Sequence, residues 1–325
     1  MCFSSDPLVS VIIPMYNASR YIQETIQSVL DQTWSNIEIV VVDDGSTDNS
    51  YELVSQIKSD KVKVFQQTNQ GAPVARNFGF LQPKGEYIQY LDADDLLSSH
   101  KIEKQLRELV LSKKEIAFST FYQYVDGIIK PEWYNLRFTN HSYERALDLQ
   151  VDIWRYFIPS YVPSCYLLSR SLIKKVGSWN ESLLKNQDGE YFARVLSQAN
   201  GIVFVPEEYV LWRYVKNSIS HTHSKHKANS IIESYKTIAE ILLRHQPNNA
   251  NMAIATAFGY LLYYDVVTYK QLQDALCFLK RNNIQPKYPV GSFIFKFFTC
   301  LFNPKVGRVM NELNIKIRKK RWRNH

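Results

Sequence analysis

Cysteine is scarce and scattered. The four, Cys2, Cys165, Cys277 and Cys300, include no closely spaced pair of the kind that holds a metal. This excludes a disulfide-framed secreted domain and a zinc ribbon, and points to reduced thiols in a cytoplasmic chain. Long apolar runs are missing too. No stretch reaches about 18 uncharged apolar residues, so no membrane-spanning helix is predicted. The longest candidate, residues 290–302, is interrupted by Lys296. No basic stretch precedes the short apolar run at 8–13, as a signal peptide would require. Repeats and low-complexity segments are absent.

What is present is an ordinary globular composition, 45% hydrophobic and 14% aromatic over 325 residues, ample for one or two cores. The net charge of +8 is local. Residues 290–325 carry nine Lys/Arg against Glu312 alone, and the rest of the chain is balanced. Phe293, Phe295, Phe297, Phe298 and Phe302 precede the cluster Lys316, Arg318, Lys319, Lys320, Arg321 and Arg323. Apolar anchors beside basic residues suit an anionic membrane surface, here the cytoplasmic face; a core helix with a solvated basic end is the alternative. No recognition module accompanies the cluster, so nucleic acid is not an expected partner.

Up to about residue 115 the hydrophobic period alternates between two and 3.6. Strands are predicted at 9–13, 37–42, 62–65, 87–91 and 116–120, with helices between them. Ile22, Ile26, Val29 and Leu30 share one helical face, with Asn17 or Ser19 as the expected cap. Further helices are expected around Leu53, Val54 and Ile57, and after Ser98-Ser99. Repeated strand–helix–strand order argues for an α/β fold with a mostly parallel sheet flanked by helices. Residues 140–214 read as short strands and turns with one helix at 189–199. From Lys225 onward the chain reads as helical.

Ligands of such sheets bind beyond the carboxyl ends of the strands, which selects three places. Pro14 and Tyr16 follow the first strand. Asp43 and Asp44 follow the second, in a sequence that also makes a good Asx turn. Asp92, Asp94 and Asp95 follow the fourth, where three carboxylates in four residues repel one another unless a cation or solvent offsets them. A solvated acidic turn is the alternative there. Arg76 lies in the Gly71–Gly79 segment and suits a phosphate or the Asp92 loop. Asp188 and Glu190 open a helix, whose N-terminus favours carboxylates; an ionised carboxylate aimed into a cleft is also a general base.

Together these segments resemble the family 2 glycosyltransferases of the GT-A fold. Residues 9–17 resemble the family's opening strand and 38–48 its second. Residues 71–79 resemble its glycine–Ala-Arg-Asn segment, 91–95 its Asp-x-Asp motif and 187–194 its acidic base motif. The order is the family's, and the resemblance runs to about Ser220. One departure is Gln187 where the family often has Glu.

The resemblance implies a Rossmann-like GT-A catalytic domain at 1–220, and the helical pattern beyond it marks a C-terminal region at 221–325. It implies an inverting, metal-dependent transfer of sugar from a nucleoside diphosphate sugar, with uracil the expected base, to a hydroxyl acceptor. A single transfer is expected because the membrane spans and Gln-x-x-Arg-Trp motif of processive relatives are not found. A surface polysaccharide is the family's common destination, so surface polysaccharide or glycolipid synthesis is the expected setting; a lipid-linked glycan is an acceptor consistent with the basic tail. Pro14 and Tyr16 would line the base pocket. Asp44 would meet base or ribose, and Asp92 the ribose or donor sugar. Asp94 would ligate Mg²⁺ or Mn²⁺, Arg76 would serve the donor site, and Asp188 would be the catalytic base with Glu190 as competitor. A non-catalytic nucleotide-sugar-binding module and a GT-A-like nucleotidyltransferase are the alternatives. The latter should show a basic, glycine-rich loop after the first strand, which 14–21 does not resemble.

Overall fold

The structure is a computed structural model, and it describes residues 6–130, 138–156, 158, 160–215, 225–245, 247–264 and 268–287. The basic tail lies outside the described residues. By contact the chain divides into two units: residues 1–150, 159–181 and 191–218, and residues 151–158, 182–190 and 219–325.

The first unit is built on β1 (Val9–Met15), β2 (Ile37–Asp43), β3 (Val62–Gln66) and β4 (Tyr87–Tyr90), paired in parallel in the order β3-β2-β1-β4. β1 is buried along its whole length, which is why it reads as a continuous apolar run. It extends through Pro14, which pairs with Val42. The Ile12 carbonyl faces β4 and accepts from Leu91, so the backbone of residue 14 faces the same edge, past the last β4 pairing at Ile12↔Tyr90. The N–H that proline lacks is not needed there.

Beyond β4 the sheet is mixed. β8 (Tyr166–Ser169) runs antiparallel to both β4 and β6 (Ile116–Val125). β9 (Ile202–Arg213) runs parallel to β6 and antiparallel to β5 (Leu96–Leu97), and β7 (Ile128–Lys130) forms a hairpin with β6. β5, two residues long, has too little alternation to read from sequence.

Helices α1 (Ile22–Leu30), α2 (Ser50–Ser55), α3 (Ala72–Leu81) and α4 (Lys101–Ser112) follow strands as expected. α1 buries Ile22, Thr25, Ile26 and Val29. Its expected caps are corrected: Tyr21 occupies the N-cap, and neither Asn17 nor Ser19 caps with its side chain. The loop before α1 is instead tied to the β2–α2 connection. Asn17, Ala18 and Ser19 donate backbone N–H to Ser46 Oγ at 2.9 Å, Ser50 Oγ at 2.8 Å and Asp48 Oδ2 at 3.1 Å. α3 packs so closely on the sheet that a Cβ at Gly79 would lie 2.6 Å from Ile12 Cγ2.

Residues 140–214 hold more helix than the sequence reading allowed: α5 (Leu147–Arg155), α6 (Arg170–Val176) and α7 (Gln187–Gln198). α6 is bounded by Ser169, whose Oγ accepts from Leu172 N, and by Gly177 at φ 86°. That pair of signals marks a short helix which hydrophobic period alone misses.

The second unit contains α8 (Lys225–His245), α9 (Pro247–Tyr264) and α10 (Tyr269–Arg281). Pro247 opens α9, where its missing N–H costs nothing. Thr268 and Gln271 form a reciprocal capping box at the start of α10. Trp154 stacks on Tyr235 at 5.1 Å in this unit's core. No described helix is long and apolar enough to cross a membrane.

Candidate active site

Adjacent strands β2, β1 and β4 deliver their carboxyl ends side by side, which brings together three of the predicted segments. At the end of β1, Pro14 is buried and Tyr16 is 47% exposed.

At the end of β2 both carboxylates are engaged. Asp43 accepts from Ser46 N at 3.2 Å and from Gln66 Nε2 at 3.0 Å. Asp44 is almost fully buried. Its Oδ1 accepts from Gln67 Nε2 at 2.8 Å and Gln70 N at 2.9 Å, and its Oδ2 from Gly71 N at 2.7 Å. Asp44 thereby pins the turn that leads into α3. The turn comes close enough that a Cβ at Gly45, which has φ +72°, would meet Asn69 N at 2.9 Å.

The three carboxylates at the end of β4 are in three different states. Asp92 is paired with Arg76 at 2.7 Å. Arg76 is itself buried, with its guanidinium 4.5 Å from the Trp179 ring centroid. Asp95 is fully buried and accepts from Ser164 Oγ at 2.9 Å and Arg213 N at 3.2 Å. Burial first, then repulsion from Asp94 and Asp92, pushes its carboxyl well above the usual range. Asp94 accepts no hydrogen bond from another described residue. Burial, and then repulsion from Asp92, pushes it up to about 6, against a smaller opposing pull from Arg213.

This donor set fits a hard divalent cation. A half-buried carboxylate that accepts from no other described residue, beside two others, is a site of poorly compensated negative potential. Among the described residues no group of three His, Cys, Asp or Glu forms a cage by itself. One carboxylate from the protein, with the remaining oxygens from diphosphate and water, is the usual arrangement for Mg²⁺-like ions.

Asp188 opens α7 in the second unit and is half-buried, whereas Glu190 is nearly fully buried. The first helical hydrogen bond there runs from Glu190 N to the Asn186 carbonyl at 3.2 Å. Asn186 is held by Ser234 Oγ at 2.8 Å. Three residues further along the helix and in the first unit, Tyr191 stacks on Trp179 at 3.9 Å.

Sequence reasoning missed a buried polar network beneath the Asp92–Asp95 turn. Lys101 Nζ donates to Gln89 Oε1 at 2.6 Å and Gln105 Oε1 at 2.9 Å. Gln89 Nε2 donates to the Ser164 carbonyl at 3.0 Å, and Ser164 Oγ holds Asp95. Burial pulls the Lys101 ammonium down to about 7. Gln89 sits in a strand and Lys101 on a helix, so no local spacing links them. Arg213 was also missed, although its place at the end of a long strand was the available signal.

A mixed sheet whose parallel strands deliver acidic ends to one edge is the frame of a GT-A glycosyltransferase. The Glycosyl transferase family 2 model matches residues 10–177, and the chain belongs to that family. It is a glycosyltransferase. An uncharacterized glycosyltransferase of Rickettsia typhi is 30% identical, over 88% of this chain and 84% of the relative. Among solved structures, S. aureus TarS 1-349 in complex with UDP-GlcNAc matches with a TM-score of 0.74. It is 19% identical, and the match covers 95% of this chain and 92% of that one. The mannosyltransferase PcManGT of Pyrobaculum calidifontis, in complex with GDP-Man and Mn²⁺, matches with a TM-score of 0.57 at 16% identity, over 95% and 85% of the two chains.

Proposed function

We propose that the chain transfers a single sugar from a UDP-sugar to a hydroxyl acceptor, with inversion and with a divalent metal. The observation that carries this reading is Asp94. It is the β4-end carboxylate that accepts no hydrogen bond from another described residue, beside Asp92 already paired with Arg76 and Asp95 already buried under Ser164. Such an arrangement costs stability in the free protein and is compensated when a cation arrives. The UDP-GlcNAc held by the TarS structure supports the choice of UDP.

In this reading residues 1–220 form the catalytic domain and 221–325 a helical region. Asp94 faces the metal, and Asp92, fixed by Arg76, receives the ribose or donor sugar. Asp44 shapes the base end of the pocket by holding the backbone at Gln70 and Gly71, while Tyr16 and Pro14 flank it. A bound Mg²⁺ or Mn²⁺ neutralises charge on the leaving diphosphate. Asp188 removes the acceptor proton as the hydroxyl attacks the anomeric carbon, and one displacement inverts the configuration. The acceptor belongs to surface polysaccharide or glycolipid synthesis, at the cytoplasmic face of a membrane that the basic tail engages.

Calorimetry against UDP, GDP and dTDP, with and without Mn²⁺, tests the reading. Metal-dependent binding selective for UDP, lost in Asp94→Ala, is expected. Asp188→Asn should keep that binding and lose turnover. UDP binding as tight in EDTA as in Mn²⁺, or full metal-dependent binding by Asp94→Ala, would overturn the metal assignment.

A further inference from the structure

The last residue of β9 lies beside the carboxylate turn. β5 and β9 pair antiparallel through Leu96↔Leu211 and Leu97↔Val210, and the same register continued by two residues sets Arg213 opposite Asp94. The contacts follow that placement. Arg213 Nε donates to the Asp94 carbonyl at 2.9 Å, and Arg213 N donates to Asp95 Oδ1 at 3.2 Å. Its terminal nitrogen donates to Glu24 Oε2, on the first turn of α1, at 2.6 Å. The guanidinium packs against the rings of Tyr21 and Tyr124, 4.8 Å from each centroid, and the side chain is only 12% exposed. Tyr124 is also its register partner on β6.

One side chain therefore ties the acidic turn to a helix and to two strands. Guanidinium suits this because its donors form a rigid planar fork that reaches separate acceptors at once. Its contact with residue 94 is through the main chain, so it fixes the backbone from which the Asp94 carboxylate projects and leaves that carboxylate available. Thr25 Oγ1 holds the neighbouring Ala93 carbonyl at 3.0 Å, also from α1.

We propose that Arg213 is the positioning residue of the donor site: it sets the orientation in which Asp94 meets the metal–diphosphate complex. It does so without touching the substrate. The proposal rests on the reading of Asp94 as the metal-facing carboxylate.

The test is titration of UDP into the full chain by calorimetry, at a series of Mn²⁺ concentrations and in EDTA. Wild type, Arg213→Met, Arg213→Lys and Asp94→Ala are compared, with folding checked by circular dichroism. Arg213→Met should raise the Mn²⁺ concentration for half-maximal UDP binding by tenfold or more. Arg213→Lys, which keeps the charge but not the fork, should raise it several-fold and serves if the methionine variant does not fold. The weak binding of UDP in EDTA should be the same in folded variants and wild type. An unchanged Mn²⁺ requirement in Arg213→Lys overturns the proposal. So does an equal loss of UDP affinity with and without metal, which would make Arg213 a direct diphosphate contact. Undiminished metal-dependent binding by Asp94→Ala would instead defeat the parent reading of Asp94.

Discussion

The ends of β2 and β4 flank β1, and both are acidic. Their carboxylates nevertheless have opposite fates. At β2 backbone and amide donors converge on Asp43 and Asp44, so each carboxylate helps to build a turn. At β4 the donors reach Asp92 and Asp95, and among the described residues none outside Asp94 itself donates to the Asp94 carboxylate. An acidic strand end is structural when N–H groups converge on every carboxylate, and is open to a ligand when one is left over. Residue type and topological position do not separate the two cases; the count of donors does.

The largest expected effect lies on the structural side. Asp44→Ala removes the acceptor of two backbone N–H groups and one side-chain amide, and should cost about 3–5 kcal/mol. Urea unfolding would measure it. A cost below about 1 kcal/mol would mean that water replaces the carboxylate and that the two strand ends are less different than described.

A smaller cost is expected beneath β4. Lys101→Met leaves the Gln89 and Gln105 carbonyl oxygens without their donor, for a loss of about 2–3 kcal/mol. It also changes the pH profile. Burial holds the folded ammonium at about 7 against an ordinary 10.5. Between those values the unfolded chain binds a proton that the folded chain does not, so wild-type stability gains as pH rises through this window. The variant should lack that gain. Parallel stability curves for the two proteins from pH 7 to 10 would show that Lys101 stays charged in the fold.

The smallest effect has the opposite sign. In metal-free buffer Asp94→Asn should stabilise the protein by about 1–3 kcal/mol at pH 8. The folded carboxyl is pushed up to about 6 from an ordinary 3.8, so the folded wild type binds its proton more tightly than the unfolded chain. Wild-type stability therefore falls as pH rises between those values. The advantage of the variant should be complete above pH 6 and vanish toward pH 4. Thermal melts in EDTA at pH 5 and pH 8 would follow it, and no stabilisation at pH 8 would mean that Asp94 is compensated like Asp44.

Much of the fold was legible locally. Strands β1, β2 and β4 announced themselves as apolar runs because both of their faces are covered, and α1 and α4 by their 3.6-residue period; β3, a partly exposed edge strand, did so only through Val62, Val64 and Phe65. β5 and α6 were not, because two residues and seven residues are too few to display a period. The cap of α1 was misread for a different reason: Asn17 and Ser19 are good capping types, but donors on the loop before the helix found Ser46, Asp48 and Ser50 on another segment.

For the site, the sequence by itself determined that acidic residues would stand at the ends of β2 and β4, with Arg76, Asp188 and Glu190 in family order. These are properties of residue type and spacing along one strand, turn or helix. Only the tertiary structure decided which carboxylate is left over. That depends on Gly71 reaching Asp44, on Arg76 reaching Asp92, on Ser164 reaching Asp95, and on Arg213 meeting Asp94 through its main chain. The partners lie 16 to 119 positions apart or more than one element away. A hydrogen bond depends on distances of about 3 Å in space, and sequence separation carries no information about them until the chain has folded.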